Sequence, residues 1–242
     1  MRILVEKNYE AMSKRAAQEM AETIKGKNEC VLGLATGGTP VAMYKELIKM
    51  YEDGELDFSK VSSINLDEYR GLSGDHPQSY RYFMNTNLFN HINIDKSKTF
   101  VPNGLAEDAE KECENYDKKI EELGGIDIQL LGIGPNGHIG FNEPDNYLNT
   151  NTHLTKLEET TIEANARFFN NIDEVPREAL TMGLGGIMKA KKILLIASGK
   201  NKAEVIEALA SGKITTQIPA TLLQVHPNVT VIVDEDAASL IK

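Results

Sequence analysis

The feature that most limits the fold is a series of short apolar runs separated by helical patterns. Cys30–Ala35, Ile128–Leu131 within the strand Ile126–Ile133, and Ile193–Ala197 read as strands buried in a parallel sheet, and Val61–Leu66 and Val229–Val233 as two further strands. Between them lie amphipathic segments. Asn8–Lys25 places Met12, Ala16, Met20 and Ile24 on one face, and Ala106–Leu123 spaces Ala109, Cys113, Tyr116, Ile120 and Leu123 by three and four. Strands and helices alternate with short connections. That pattern predicts an α/β three-layer sandwich, a mostly parallel doubly wound sheet with helices on both faces. No repeat, linker or low-complexity tract divides the chain, so residues 1–242 are expected to form one domain.

The net charge of −10 and pI of 5.1 argue against a nucleic-acid or anionic-membrane partner, since both need a basic face. If the substrate is an anion, a local cluster of donors must hold it against the overall field. Two cysteines, Cys30 and Cys113, give no disulfide framework and point to a reducing compartment. The N-terminal Met1–Val5 run is too short for a signal-peptide apolar region, and no run approaches the length of a transmembrane helix. A cytoplasmic location is the expectation.

The candidate chemistry falls on strand exits, where open α/β sheets bind ligands. The stretch Gly132–Pro144 surrounds His138 and Glu143 with glycines, which let backbone N–H groups approach a ligand. Histidine is the usual proton shuttle near neutral pH, although a tight turn with an incidental histidine has the same signature. Thr36-Gly37-Gly38-Thr39-Pro40 opens a helix running to about Asp53, with Thr39 as its N-cap. Free N–H groups and the helix dipole make that junction an anion site, or else a plain strand-to-helix turn. It lacks both the Walker ending and the dinucleotide fingerprint. Val61–Leu66 delivers Asp67 and Glu68. Neighbours on an extended chain point to opposite faces, so one of them should face a ligand as a possible general base. Ser198-Gly199-Lys200-Asn201-Lys202 is a second strand–Gly–helix junction, read as the better anion site because it carries lysines. Arg167 precedes two aromatics and by itself reads as a surface arginine beside core phenylalanines. Asp234–Ile241 is expected to be a terminal helix, and the polar run Asp145–Thr152 is a candidate lid by composition and position. Together these predict one crevice, with an anion clamp at one end and acid–base groups at the other.

Taken in order, Leu34–Pro40, Asn65–Tyr69, Leu131–Pro144, Ala166–Phe169 and Ser198-Gly199-x-x-Lys202 resemble the glucosamine-6-phosphate deaminase family over nearly the whole chain. The run Gly137–Pro144 is highly specific. The wider superfamily includes 6-phosphogluconolactonases, but the Leu-Asp-Glu-Tyr and Phe-Asn-Glu-Pro runs favour the deaminases. The resemblance implies conversion of D-glucosamine 6-phosphate and water to D-fructose 6-phosphate and ammonia, in amino-sugar catabolism, with no organic cofactor and no metal. No His-Glu-x-x-His-type spacing speaks for a metal either. By motif match Asp67 would be the base that moves the C2 proton. His138 would serve ring opening, with Glu143 orienting it or relaying its proton. Thr36, Gly37, Gly38, Thr39, Arg167 and Lys202 would hold the phosphate.

This sequence departs from the family in two places. Many members carry Asp before the Gly-His pair; Asn136 can hydrogen-bond there but adds no charge, leaving Glu143 as the carboxylate partner of His138. Allosterically activated hexameric members carry basic residues soon after the Asn-Glu-Pro run and a longer C-terminal tail. Here that region offers His153 and Thr155, so no activation by N-acetylglucosamine 6-phosphate is expected, and a monomer is favoured over a homo-oligomer. Two other readings are open: a lactonase using the same clamp without a C2 proton acceptor, and a non-catalytic sugar-phosphate sensor.

Overall fold

The computed structural model describes residues 1–166, 169 and 171–241. In chain order the elements are β1 (Arg2–Glu6), α1 (Tyr9–Gly26), β2 (Val31–Leu34), α2 (Val41–Glu52), β3 (Ser62–Asn65), β4 (Asp67–Tyr69), α3 (Tyr80–Asn87), β5 (Thr99–Phe100) and α4 (Ala109–Glu122). They continue with β6 (Ile128–Leu131), β7 (His153–Lys156), α5 (Glu159–Ala166), β8 (Glu178–Thr181), α6 (Leu184–Met188), β9 (Ile193–Ala197), α7 (Ala203–Ala210) and β10 (Val229–Asp234). Among the described residues a seven-stranded sheet has the order β1-β10-β9-β6-β2-β3-β5, every pairing parallel. Starting from β2, the chain winds outward through β3 to β5, then returns and winds the other way through β6, β9 and β10. Right-handed crossovers in opposite directions place their helices on opposite faces of the sheet. Every residue of β2, β6, β9 and β10 is accordingly buried, which is why these strands read as mostly apolar runs. Edge strand β1 is partly exposed.

The winding reverses between β2 and β6, and a doubly wound sheet opens a ligand crevice at the carboxyl ends of such a pair. Helix tyrosines satisfy carbonyls where the ladder stops. Tyr44 of α2 donates to Ala35 O at 2.6 Å, and Tyr116 of α4 donates to Asn65 O at 2.7 Å.

The doubly wound sheet was expected; a second sheet was not. β4, β8 and β7 form a three-stranded antiparallel sheet, pairing Asp67 with Thr181 and His153 with Thr181 across β8. The chain leaves β3 at Leu66, whose carbonyl accepts from Met182 N at 2.7 Å, and crosses into this sheet at Asp67. Beneath it lies a separate apolar cluster of Tyr69, Phe141, Leu157, Ile162, Val175 and Ala179. Three local expectations fail. Pro40, not Thr39, occupies the N-cap of α2, with no side-chain cap. Asp234 ends β10, and residues 235–240 form turns rather than a helix even though the Asp234 carboxylate accepts from Ala237 N. The proposed lid is stitched down: Leu184 N donates to Asn149 O at 2.8 Å and Gly185 N to Thr150 O at 2.9 Å, and the segment does not border the crevice. No described helix is long and apolar enough to cross a membrane.

Candidate functional site

A crevice of about 550 Å³ opens at the carboxyl ends of β2, β3, β6 and β9. It is lined by Thr36–Pro40, Asp67, Tyr80, Gly132–Asn136, His138, Gly140, Phe141, Thr161, Glu163, Asn201 and Lys202. Of the residues singled out in the sequence, Thr36, Gly37, Gly38, Thr39, Asp67, Asn136, His138 and Lys202 line this one space, and Glu143 stands directly behind His138. Arg167 lies outside the described residues.

At one end, Gly37, Gly38 and Thr39 precede helix α2. No hydrogen bond to their N–H groups is found among the described residues. The Tyr9 hydroxyl secures this turn from α1, lying 3.0 Å from Thr39 O and 3.2 Å from Gly38 O while accepting from Ala42 N at 3.2 Å. A helix N-terminus whose first turn is held this way presents donors and partial positive charge to an anion. Lys202 reaches the same crevice and donates to Ile133 O at 2.6 Å.

The second junction differs from its reading. Two of its donors, the Ser198 hydroxyl and the Gly199 N–H, are already occupied, because the Asp234 carboxylate accepts from Ser198 Oγ at 2.5 Å and from Gly199 N at 3.0 Å. It also accepts from Ala237 N at 2.8 Å. Burial raises the Asp234 pKa, but these donors outweigh it and hold the carboxyl below its usual range. The junction therefore binds an internal anion and contributes Lys202 to the crevice. Asp234→Ala should strip three donors of a buried acceptor and cost about 3 kcal/mol, read by denaturant unfolding. Because the Asp234 pKa is depressed in the fold, its stabilisation is full above the unfolded carboxyl value and is lost as pH falls through the folded one.

At the other end, the loop after β6 carries the acid–base pair. Glu143 Oε2 accepts from Asn136 Nδ2 at 2.7 Å and lies 3.0 Å from His138 Nδ1, and Oε1 accepts from Thr161 Oγ1 at 2.6 Å. Burial raises the Glu143 pKa, yet hydrogen bonds from and attraction to His138, with help from Thr161 and Asn136, bring it below the usual value. The carboxylate thus stays ionised and can orient the imidazole, which leaves Nε2 as the ring nitrogen for exchange with a ligand. Asn136 also accepts from His138 N at 3.2 Å, so it braces the loop while adding no charge. The imidazole lies flat on Gly134, where a Cβ would come within 2.3–2.5 Å of three ring atoms.

Asp67 occupies the wall between these ends. It is 7% exposed, and its carboxylate has no hydrogen-bond partner among the described residues. Burial first, and the Glu68 charge second, push its pKa up to about 8. The strand geometry separates the two carboxylates as anticipated. Glu68 turns away and accepts from Tyr80 N, Arg81 N and Tyr69 N at 2.8–2.9 Å at the start of α3. Gly140 (φ +59°) lets the loop pass beside Asp67, since a Cβ there would lie 3.0 Å from Thr181 Oγ1 and 3.8 Å from Asp67 Oδ2. Three lining or supporting residues escaped sequence reasoning. Tyr80 stacks on Phe141 (6.1 Å, 11°), Thr161 reaches Glu143, and Thr181 accepts from Phe141 N at 3.0 Å. None lies in a strand-exit motif.

A sheet with its crevice at the winding reversal, a helix N-terminus opening on it and a buried carboxylate sharing the space with a His–Glu pair are the features of an α/β enzyme site. The chain belongs to the family described as glucosamine-6-phosphate isomerases/6-phosphogluconolactonase, which it matches over residues 5–232. It is 74% identical over 242 residues to a glucosamine-6-phosphate deaminase of Clostridium perfringens strain 13, with both chains covered completely. It is 61% identical to one from Thermoanaerobacter pseudethanolicus, covering all of this chain and 95% of that one. A solved structure described as a monomeric glucosamine-6-phosphate deaminase superposes with a TM-score of 0.97 at 49% identity, covering 99% of this chain and 100% of that one. The 6-phosphogluconolactonase of Trypanosoma brucei shares the fold, with a TM-score of 0.81 at 19% identity, covering 100% and 98%.

Proposed function

We propose that the crevice converts D-glucosamine 6-phosphate and water to D-fructose 6-phosphate and ammonia. One observation carries this reading furthest: Asp67, a buried carboxylate with a raised proton affinity and no hydrogen-bond partner among the described residues, faces the same space as the His138–Glu143 pair. The phosphate is held by the Thr36–Thr39 turn and Lys202, with Arg167 joining them. Arg supplies a planar fork and Lys a point charge. His138, oriented by Glu143, exchanges a proton with the ring oxygen and the C1 hydroxyl to open the pyranose. The C1 aldehyde then acidifies the C2 proton, which Asp67 removes. The C2–H electron pair forms the C1=C2 bond of an enolamine while the C1=O π pair moves onto O1, which takes up the proton that the C2 ammonium gives up. Return of the proton to C1 gives a C1 alcohol and a C2 imine. Water adds to the imine carbon, the C–N bond breaks, and ammonia leaves. The net result is hydrolysis of a C–N bond by way of an aldose–ketose proton transfer, and the steps draw on side chains of this chain alone. Names borne by relatives at 74%, 61% and 49% identity support the same substrate.

A monomeric state is in line with the 49%-identical structure described as a monomeric glucosamine-6-phosphate deaminase. Buried Cys30 and Cys113, both free, suit a cytoplasmic setting. Activation by a second sugar phosphate is not expected. The groove beside His153 sets four carboxylates, Glu110, Glu114, Asp117 and Glu121, against one lysine, Lys118, a balance that repels a phosphate. Burial also pushes the His153 pKa down, despite its contacts with Asn151 O and Asp117.

A lactonase needs no C2 proton acceptor and leaves Asp67 without a task. Incubation with glucosamine 6-phosphate should release equimolar ammonia and fructose 6-phosphate, with hyperbolic kinetics unchanged by N-acetylglucosamine 6-phosphate. Hydrolysis of 6-phosphogluconolactone in place of ammonia release would replace this reading with the lactonase. Ligand binding without turnover of either substrate would favour a sensor.

A further inference from the structure

Thr161 is 6% exposed and borders the crevice, yet it belongs to α5, an element apart from the strand exits that carry Asp67 and His138. Its neighbour Ile162 is 1% exposed and packs in the cluster with Tyr69, Phe141 and Leu157. That packing fixes the rotation of α5, and the fixed rotation turns Thr161 toward Glu143. A threonine within a helix ordinarily bonds back to its own turn or faces water. Here the hydroxyl leaves its helix and donates to Glu143 Oε1 at 2.6 Å.

The two oxygens of Glu143 therefore have separate partners. Oε2 takes Asn136 and His138, and Oε1 takes Thr161. A carboxylate held on one oxygen alone can rotate about its last bond and offer the imidazole either edge. Held on both, it keeps one plane, and the His138 Nδ1 contact keeps one direction. With Asn136 adding no charge, the direction of this single carboxylate decides how the imidazole is presented. The same helix leads within one residue to Arg167 in the sequence.

We propose that Thr161 is a positioning residue of the reaction: its hydroxyl locks the Glu143 carboxylate so that His138 presents Nε2 to the substrate. The assignment rests on the deaminase reading. Thr161 touches no reacting atom and acts through Glu143.

The test compares Thr161→Val, Thr161→Ala and Thr161→Ser with the unsubstituted protein in the ammonia-release assay, alongside thermal unfolding. Val keeps the shape and loses the donor. Ala covers the case in which Val disturbs α5. Ser restores the donor. Val and Ala should lower kcat about tenfold, the low end of what removing an orienting partner behind a site residue costs. KM should stay within about threefold, because the phosphate end is built from other elements, and Ser should return kcat to within about twofold. Unchanged kcat in Val and Ala, a loss confined to KM, or a Ser variant as slow as Val would each overturn the proposal. Absence of ammonia release by the unsubstituted protein would instead overturn the deaminase reading on which it rests.

Discussion

Replacing Asp67 with Asn is expected to abolish measurable turnover and at the same time to stabilise the fold at alkaline pH. The two effects share one cause. Asp67 is buried without a partner for its charge among the described residues, and burial together with the Glu68 charge raises its pKa to about 8. A general base works best when its proton affinity lies near the working pH, and loss of one such base costs on the order of 10²–10⁴ in rate. The same raised affinity is a stability cost. An unfolded carboxyl ionises near pH 4, whereas the folded one keeps its proton until about pH 8. The penalty is therefore absent below about pH 4, grows as pH rises, and is complete above about pH 8. Asn is neutral and nearly isosteric, so Asp67→Asn should gain about 3 kcal/mol or more at pH 9 and nothing near pH 4. Denaturant unfolding at the two pH values reads the gain, and the ammonia assay reads the loss. For the unsubstituted protein, kcat/KM should rise with pH toward about 8 as the base form appears. Near-normal turnover in Asp67→Asn would remove Asp67 from the proton-transfer role. Inactivity without the alkaline gain in stability would mean that the carboxylate is better compensated than its burial implies.

The parts of this site that could be read in the sequence share one physical origin. β2, β6, β9 and β10 are covered on both faces, so they appear as apolar runs, and their exits can be located without a structure. His138 and Lys202 lie beyond such exits, and Asp67 lies beyond the exit of β3, a partly polar strand paired with β2. The antiparallel sheet could not be read in the same way. β4 is three residues long, and β7 shows an alternating half-exposed pattern over only four. β8 runs without a break into Met182-Gly183-Leu184, so no periodicity separates strand from helix. The two strand–Gly–helix junctions show the limit of motif reasoning more sharply. Gly37 and Gly199 both have positive φ and both precede a helix, yet the N–H of Gly199 is taken by Asp234, 35 residues away, while no partner for those of the first junction is found among the described residues. Which junction receives the substrate depends on whether an internal carboxylate arrives first, and local sequence carries no record of that. Thr161 is hidden for the same reason. Its significance is a contact across 18 residues, made possible by the burial of its neighbour Ile162.

Gly134→Ala should remove most activity while leaving the fold and the phosphate end intact. The backbone at Gly134 has no positive φ, so the added methyl brings no conformational strain. It instead meets the His138 ring, at 2.3 Å from Cε1, 2.4 Å from Nε2 and 2.5 Å from Nδ1. No carbon reaches a ring atom at such distances, so either the imidazole or the loop must move by about an ångström. The loop is held by Gly134 N donating to His138 O at 2.9 Å and Ala220 N to Gly137 O at 2.9 Å, so the ring is the part that yields. Lifting it breaks the 3.0 Å contact with Glu143 and turns Nε2 from its place. A misplacement of about 1 Å at a reacting group costs on the order of 10²-fold, and that loss is expected in kcat. Affinity for inorganic phosphate, measured by calorimetry, should change little, since Gly37–Thr39 lie on a different strand exit. Gly132→Ala in the same loop supplies the contrast. Its Cβ meets nothing within 4 Å and its backbone also lacks a positive φ, so the His138–Glu143 geometry survives and any loss should fall on KM. If Gly132→Ala and Gly134→Ala lowered kcat equally, the effect would belong to the loop as a whole. The flat seat of the imidazole on Gly134 would then carry no special weight in catalysis.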